Sequence, residues 1–220
     1  TPEEESFSFF VTSLEAMQRM SGSADGFGGD LGGLAGADAL CQAIAEYSTP
    51  CAANKQWRAF LSTSTEDAID RVGNGPWYDR LGRTLATSVQ DLQNERPANA
   101  DPAIADDLPN EYGVPNRNPN GTGEVDNHHF LTGSDTEGRF YGSDATCADW
   151  TSTEKFADGR PRHGFSWPAA GRRHWISGEE EAGCMPGTQG MAGGGPSVPS
   201  LGTVGSGGGY GGIYCFAYIP

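Results

Sequence analysis

Five cysteines set among aromatic residues limit what this chain can fold into more than any other feature. Cys147 opens the run Cys147-Ala148-Asp149-Trp150, Cys215 lies between Tyr214 and Phe216, and Trp167, Trp175 and Cys184 stand between them. Aromatic neighbours suit buried sheet, and cysteines in an acidic, lysine-poor chain are expected to pair rather than catalyse. Five cysteines permit two bridges and leave one over. Spacing allows a local Cys41–Cys51 link, whereas Cys41 with Cys215 would close a long loop and tie both chain ends together; the sequence alone leaves the pairing open.

At 220 residues the chain is long enough for one domain, 1–220, with its own core. Its 33 Gly and 14 Pro, with a mean hydropathy of -0.51, assign much of the length to turns and irregular surface. A formal charge of -15 argues against nucleic acid and anionic membranes as partners, because phosphates reward Lys and Arg. No apolar run approaches the roughly 20 residues of a membrane span. The polar Thr1-Pro2-Glu3-Glu4-Glu5 reads as the start of a processed product, so a secreted or cell-surface location is expected.

Phe7 and Phe9 alternate in Ser6–Thr12 as in a first strand, and a short helix is expected over Leu14 to Met20. Ala37, Leu40, Cys41 and Ile44 recur at helical spacing in Ala37–Tyr47, which puts Cys41 on a buried stripe. Trp57–Ser62 reads as a second strand. Ser64-Thr65-Glu66-Asp67 has the pattern of a capping box, with Gly73 placed to end the helix. From Pro97 to Asn127 five prolines break any period, so a long structureless loop is expected there, and such loops are commonly functional. Phe130–Gly133 resumes the sheet. Thirteen glycines fall within residues 183–212, a second irregular segment fixed at its ends by Cys184 and Cys215, and Gly212–Tyr218 reads as the last strand.

Phe9–Ser13, Gly32–Cys41 and Trp57–Ser62, followed by Leu131-Thr132-Gly133-Ser134-Asp135, Thr146–Ser152, His174-Trp175 and Ile213–Phe216, occur in the order found in secreted bacterial domains of the C-type-lectin-like superfamily, and the chain resembles the collagen endostatin domain and its bacterial relatives. The resemblance covers most of residues 7–218. It implies an α+β fold with two helices on a twisted, mainly antiparallel sheet, and nested bridges Cys41–Cys215 and Cys147–Cys184, with Cys51 unpaired or joined to another molecule. Sugar binding is not implied, because the Glu-Pro-Asn and Trp-Asn-Asp calcium motifs of true C-type lectins are absent. Endostatin binds zinc, yet its N-terminal histidine cluster has no counterpart here. A fold does not fix a function.

Oxygen-bearing side chains at Asn116, Asn118, Asn120, Glu124 and Asp126 alternate around Gly121 and Gly123, the kind of loop that wraps calcium. Adjacent His128 and His129 point to opposite faces of a regular strand, so a zinc site would need a backbone bend, or one of them together with Asp126, His163 or His174. Trp167 beside Arg172, Arg173 and His174 forms a candidate ligand surface. Gly164-Phe165-Ser166-Trp167 lacks the second glycine of a nucleophile elbow, and Cys51 has no identifiable base, so nucleophilic catalysis is not expected. Asn120-Gly121-Thr122 is a glycosylation sequon. The expected function is extracellular binding or adhesion toward a polysaccharide, an envelope component or a protein, with calcium as a possible helper. The alternatives are a metal-dependent secreted enzyme and a surface-layer or filament subunit that associates through Cys51 or the glycine-rich segment.

Overall fold

The computed structural model describes residues 1–117, 126–155, 159–180, 183–188 and 202–219. Strands are numbered β1 (Phe9–Val11), β2 (Trp57–Ala59), β3 (Trp77–Tyr78), β4 (Thr84–Ala86), β5 (His129–Leu131), β6 (Arg162–Phe165), β7 (Glu179–Glu180) and β8 (Gly209–Ala217). Helices are α1 (Pro2–Ser6), α2 (Leu14–Ser21), α3 (Gly33–Ser48) and α4 (Val89–Leu92).

All nine residues of β8 are buried, so this strand forms the axis of the sheet. Antiparallel β1 lies along one edge, with Phe9 opposite Phe216; antiparallel β2 and then parallel β5 occupy the other, with Trp57 opposite Ala217 and Leu131 opposite Ile213. The sheet continues antiparallel through β6 and β7, giving the order β1-β8-β5-β6-β7, while β3 and β4 form a separate hairpin. The architecture is thus α+β, with few helices on a mixed, mainly antiparallel sheet.

The core is aromatic. Phe130 stacks on Tyr214 at 5.0 Å between centroids, and Phe60 meets Trp175 at 5.2 Å. Buried Trp and Tyr need partners for their polar ends. The Trp150 indole donates to the Ser62 carbonyl at 2.8 Å, that of Trp175 to the Leu92 carbonyl at 2.7 Å, and the Tyr214 hydroxyl to the Trp175 carbonyl at 2.7 Å.

Both bridges implied by the resemblance are present, Cys41–Cys215 joining α3 to β8 and Cys147–Cys184 joining the run Cys147-Ala148-Asp149-Trp150 to the glycine-rich segment; Cys51 remains without a bridge. Two disulfides suit an oxidising environment. Among the described residues no helix is long and apolar enough to cross a membrane.

Two sequence expectations are corrected. Ser64 caps no helix: a 3-10 turn, Ala68–Arg71, follows without a side-chain cap, and the Ser64 hydroxyl donates instead to Asp149 at 2.5 Å. The sequence reading left the structure of Thr1–Glu5 unassigned; it begins helix α1, capped by Thr1 with Glu4 returning the bond. Residues 97–117 are not structureless, because Ile104, Leu108, Asn110, Glu111 and Asn116 are buried. That segment is held by side chains in place of a regular ladder. The Glu111 carboxylate accepts from the Ser13 amide at 3.0 Å and hydroxyl at 2.6 Å, so it supports the N-terminus of α2 from 98 residues away, and burial pushes its pKa up.

Candidate functional site

The strand pairing collects histidines. In antiparallel pairs, directly opposed residues share a face. Leu131 of β5 opposes His163 of β6, and His163 opposes Glu179 of β7, so His129, His163 and Glu179 form a row across three strands on one face. The His129 and His163 rings stand 5.1 Å apart, and His129 Nε2 lies 3.9 Å from a Glu179 carboxylate oxygen. Arg172 pairs with the same Glu179 oxygen from the exposed side.

His128 joins the row because the backbone bends at this point. The amides of His128 and His129 both donate to the Gly208 carbonyl, at 2.9 and 3.0 Å, and the pairing of β5 with β8 slips between His129 and Phe130. The two rings therefore meet at 4.3 Å between centroids. His128 Nδ1 is 2.6 Å from an Asp126 carboxylate oxygen. Gly208 has φ +146, and a Cβ there would lie 2.0 Å from the His128 ring, so the glycine-rich segment lets main chain press directly against an imidazole.

His129 and His163 are buried, and none of their four ring nitrogens makes a hydrogen bond, although main chain at Ser206 and at Val204 and Pro161 lies close enough to favour protonation weakly. Burial dominates. It holds His129 well below the ordinary histidine range, helped by the charges of His163, His128 and Arg172, and pushes His163 down to about 3. Because these pKa values are lower folded than unfolded, stability is full above the unfolded value near 6.5 and is lost as pH falls below it. Between pH 7.5 and pH 5 each such histidine is expected to remove about 2 kcal/mol. Denaturation at both pH values, in chelator-containing buffer, checks this, and His163→Leu should flatten the slope.

The remaining sequence candidates disperse. Asn116 is buried and donates to the Asn127 carbonyl at 2.8 Å, and Asp126 is engaged by His128; Asn118, Asn120 and Glu124, with the sequon, lie outside the described residues. Trp167 is buried, its indole donating to Asn127 at 2.7 Å, so it presents no open platform. Arg173 pairs with Asp106 at 2.7 Å and with Glu95 at 3.6 Å. His174 Nδ1 accepts the Ile176 and Ser177 amides at 3.2 and 3.3 Å, and burial lowers its pKa. Trp167 and His174 are thus engaged inward, while Arg172 is paired with Glu179 and Arg173 with Asp106 and Glu95. Among the described residues no group of three or more His, Cys, Asp or Glu side chains is arranged to hold a metal ion as it stands.

Sequence reasoning missed a cleft on the reverse face of β6 and β7. Arg162 opposes Glu180 there, one residue out of phase with His163 and Glu179. The cleft, of about 230 Å³, is lined by Tyr141, Gly142, Ser143, Asp144, Ala145 and Glu180. Tyr141 is fixed by its amide bond to the Gly133 carbonyl, 3.0 Å, yet its side chain is exposed. The Arg162 guanidinium lies 4.5 Å from the centre of its ring, and a hydrogen bond to Glu180 pushes the phenol pKa up. Arg162 is itself oriented by the Ser177 hydroxyl at 2.8 Å. Behind the cleft, the Arg160 amide donates to the Asp144 carbonyl at 2.7 Å. That approach requires Gly159, at φ +94, where a Cβ would lie 1.9 Å from the same carbonyl. The sequence signal that could have pointed to it is a local excess of base in residues 138–175, six Lys and Arg against four Asp and Glu in an otherwise acidic chain.

Compared with known protein families and with characterised proteins, the sequence matches none.

Proposed function

We propose that this chain is an extracellular binding module that takes a saccharide in the cleft at Tyr141, Asp144 and Glu180. The observation that carries this reading is one exposed aromatic ring set beside two carboxylates and a guanidinium at an open cleft. Sugars present C–H faces that pack on an aromatic ring, and vicinal hydroxyls that donate to a carboxylate and accept from an arginine. The ring, Arg162 and Glu180 already hold one another, so little side-chain freedom is lost on binding. Catalysis has less support, because the histidines are sealed beneath main chain on the other face.

The calcium-assisted version would use Asn116, Asn118, Asn120, Glu124 and Asp126, and would require Asn116 and Asp126 to exchange their present partners for the ion. A screen of glycans and cell-wall polysaccharides on the non-reduced protein, with calcium and again with chelator, tests both versions. Binding is expected, with Tyr141→Ala weakening it about tenfold or more. Because Tyr141 is exposed, stability should change by no more than about 0.5 kcal/mol. Absence of binding under both conditions, or binding that survives Tyr141→Ala unchanged, would exclude the cleft.

A further inference from the structure

We propose that His128, His129, His163 and Glu179 form a closed structural site for one divalent transition-metal ion of the zinc type. Buried polar groups are ordinarily hydrogen-bonded, and leaving them bare is costly. Here two neighbouring imidazoles present four bare nitrogens, and a carboxylate stands beside them. Imidazole with carboxylate is a donor set that suits zinc, nickel, copper or iron rather than calcium or magnesium.

The His129–His163 spacing agrees with a shared ion, and Glu179 and His128 stand close to it. Two imidazoles on one tetrahedral zinc, each with a metal–nitrogen bond of about 2.0–2.1 Å, place their ring centroids about 5 Å apart and their donor atoms about 3.4 Å apart. The observed centroid separations are 5.1 Å for His129–His163 and 4.3 Å for His128–His129, and the His129–Glu179 donor distance is 3.9 Å. Closing the set takes ring rotations, a contraction of about 0.5 Å between His129 and Glu179, and a separation of the His128 ring from that of His129 by less than about 1 Å.

The surroundings are those of ligands held from behind. A metal-bound histidine ordinarily gives its other nitrogen to a carboxylate or main-chain carbonyl. His128 has Asp126 in that position, and His129 and His163 have main chain at Ser206, Val204 and Pro161 beside them. Arg172 stands behind the Glu179 carboxylate. Burial of the three rings under the glycine-rich segment leaves no open coordination position, which makes the site structural rather than catalytic. The ion would join β5, β6 and β7 to that segment.

The test uses the full, non-reduced chain stripped with chelator and titrated with cobalt(II) and with zinc. The expected result is uptake of about one equivalent, a visible cobalt spectrum of tetrahedral intensity, and a rise in Tm of about 5 °C or more with zinc. His163→Leu should abolish the spectrum. Asp126→Asn, which removes only the outer carboxylate, should weaken binding about 10- to 100-fold while leaving the metal-free Tm nearly unchanged; Glu179→Gln, whose carboxylate is partly exposed, should also weaken it. No uptake by the stripped wild type would overturn the proposal. So would folded variants that bind cobalt as the wild type does.

Discussion

Replacing Cys41 and Cys215 together by alanine is expected to remove about 5 kcal/mol of stability in the chain-entropy account of disulfides. The bridge spans 174 residues, so its loss frees almost the whole chain in the unfolded state. It also releases α3 from the strand on which the sheet is built. A loss of that size is comparable to the entire stability of many domains. The Cys147–Cys184 bridge closes only 37 residues, for which the same account gives about 4 kcal/mol. It carries a second duty. Cys147, Ala148, Asp149 and Trp150 all have φ between +49 and +66, a left-handed turn of non-glycine residues that costs about 1–2 kcal/mol per residue. The bridge, the Trp150 indole bond to Ser62 and the Asp149 bond to Ser64 hold that turn. Urea denaturation of the two double variants should rank the long bridge above the short one, with the Cys41/Cys215 variant unfolding at the lower midpoint. Equal midpoints, or a cost below about 2 kcal/mol for the long bridge, would contradict the account.

Arg96→Met is expected to be nearly as severe, at about 3–5 kcal/mol. Its buried guanidinium donates to four main-chain carbonyls: Ala105 at 2.8 Å, Phe165 at 2.5 Å, Ser166 at 2.8 Å and Arg173 at 3.0 Å. Burial lowers its pKa to about 10, which leaves it charged at neutral pH. Methionine fills much of the volume and replaces none of these donors; the Ser166 carbonyl keeps the Leu108 amide at 3.0 Å, while the loss at the others accumulates. Lysine retains the charge but lacks the planar fork, and should recover only a part. The damage should be local first. Residues 97–117 are tied to the end of β6 through Arg96, together with the Leu108 amide on the Ser166 carbonyl at 3.0 Å and the Asn116 side-chain amide on the Ser166 hydroxyl at 3.2 Å, so limited proteolysis should cut within that segment more readily in Arg96→Met than in the wild type. Unchanged cleavage together with unchanged stability would show that the segment is held by other contacts.

Local signals carried much of the fold. The helical spacing of Ala37, Leu40, Cys41 and Ile44 lies in α3, although the helix begins earlier, at Gly33. Phe9 falls in β1, and Trp57–Ala59 and the final strand are likewise strands. Helix α1 was legible but passed over: Thr1-Pro2-Glu3-Glu4 offers an N-cap threonine, a proline at the first helical position and the reciprocal glutamate. The order within 97–117 was not legible in the same way. Its bonds run from Glu111 back to Ser13 and from Arg96 forward to Ser166, and contacts so distant in sequence leave no period to read.

The same limit applied to the sites. His128 and His129 were visible as neighbours, and the need for a bend was evident, but the bend comes from Gly208, 80 residues later. That His163 and Glu179 would complete the row depended on register in β6 and β7, where a shift of one residue exchanges the faces. The cleft was less visible still. Tyr141, Asp144 and Glu180 become a set only through that register, and Trp167, a more conspicuous aromatic in the sequence, is turned inward toward Asn127.

The most direct measurement is calorimetric titration of a saccharide selected in the screen into the non-reduced wild-type protein, Tyr141→Ala and Glu180→Gln. Saturable binding at about one site per chain, weakened about tenfold or more by either substitution with Tm preserved, is the expected result. Binding of equal strength in all three proteins would place the ligand elsewhere and contradict the assignment of the cleft.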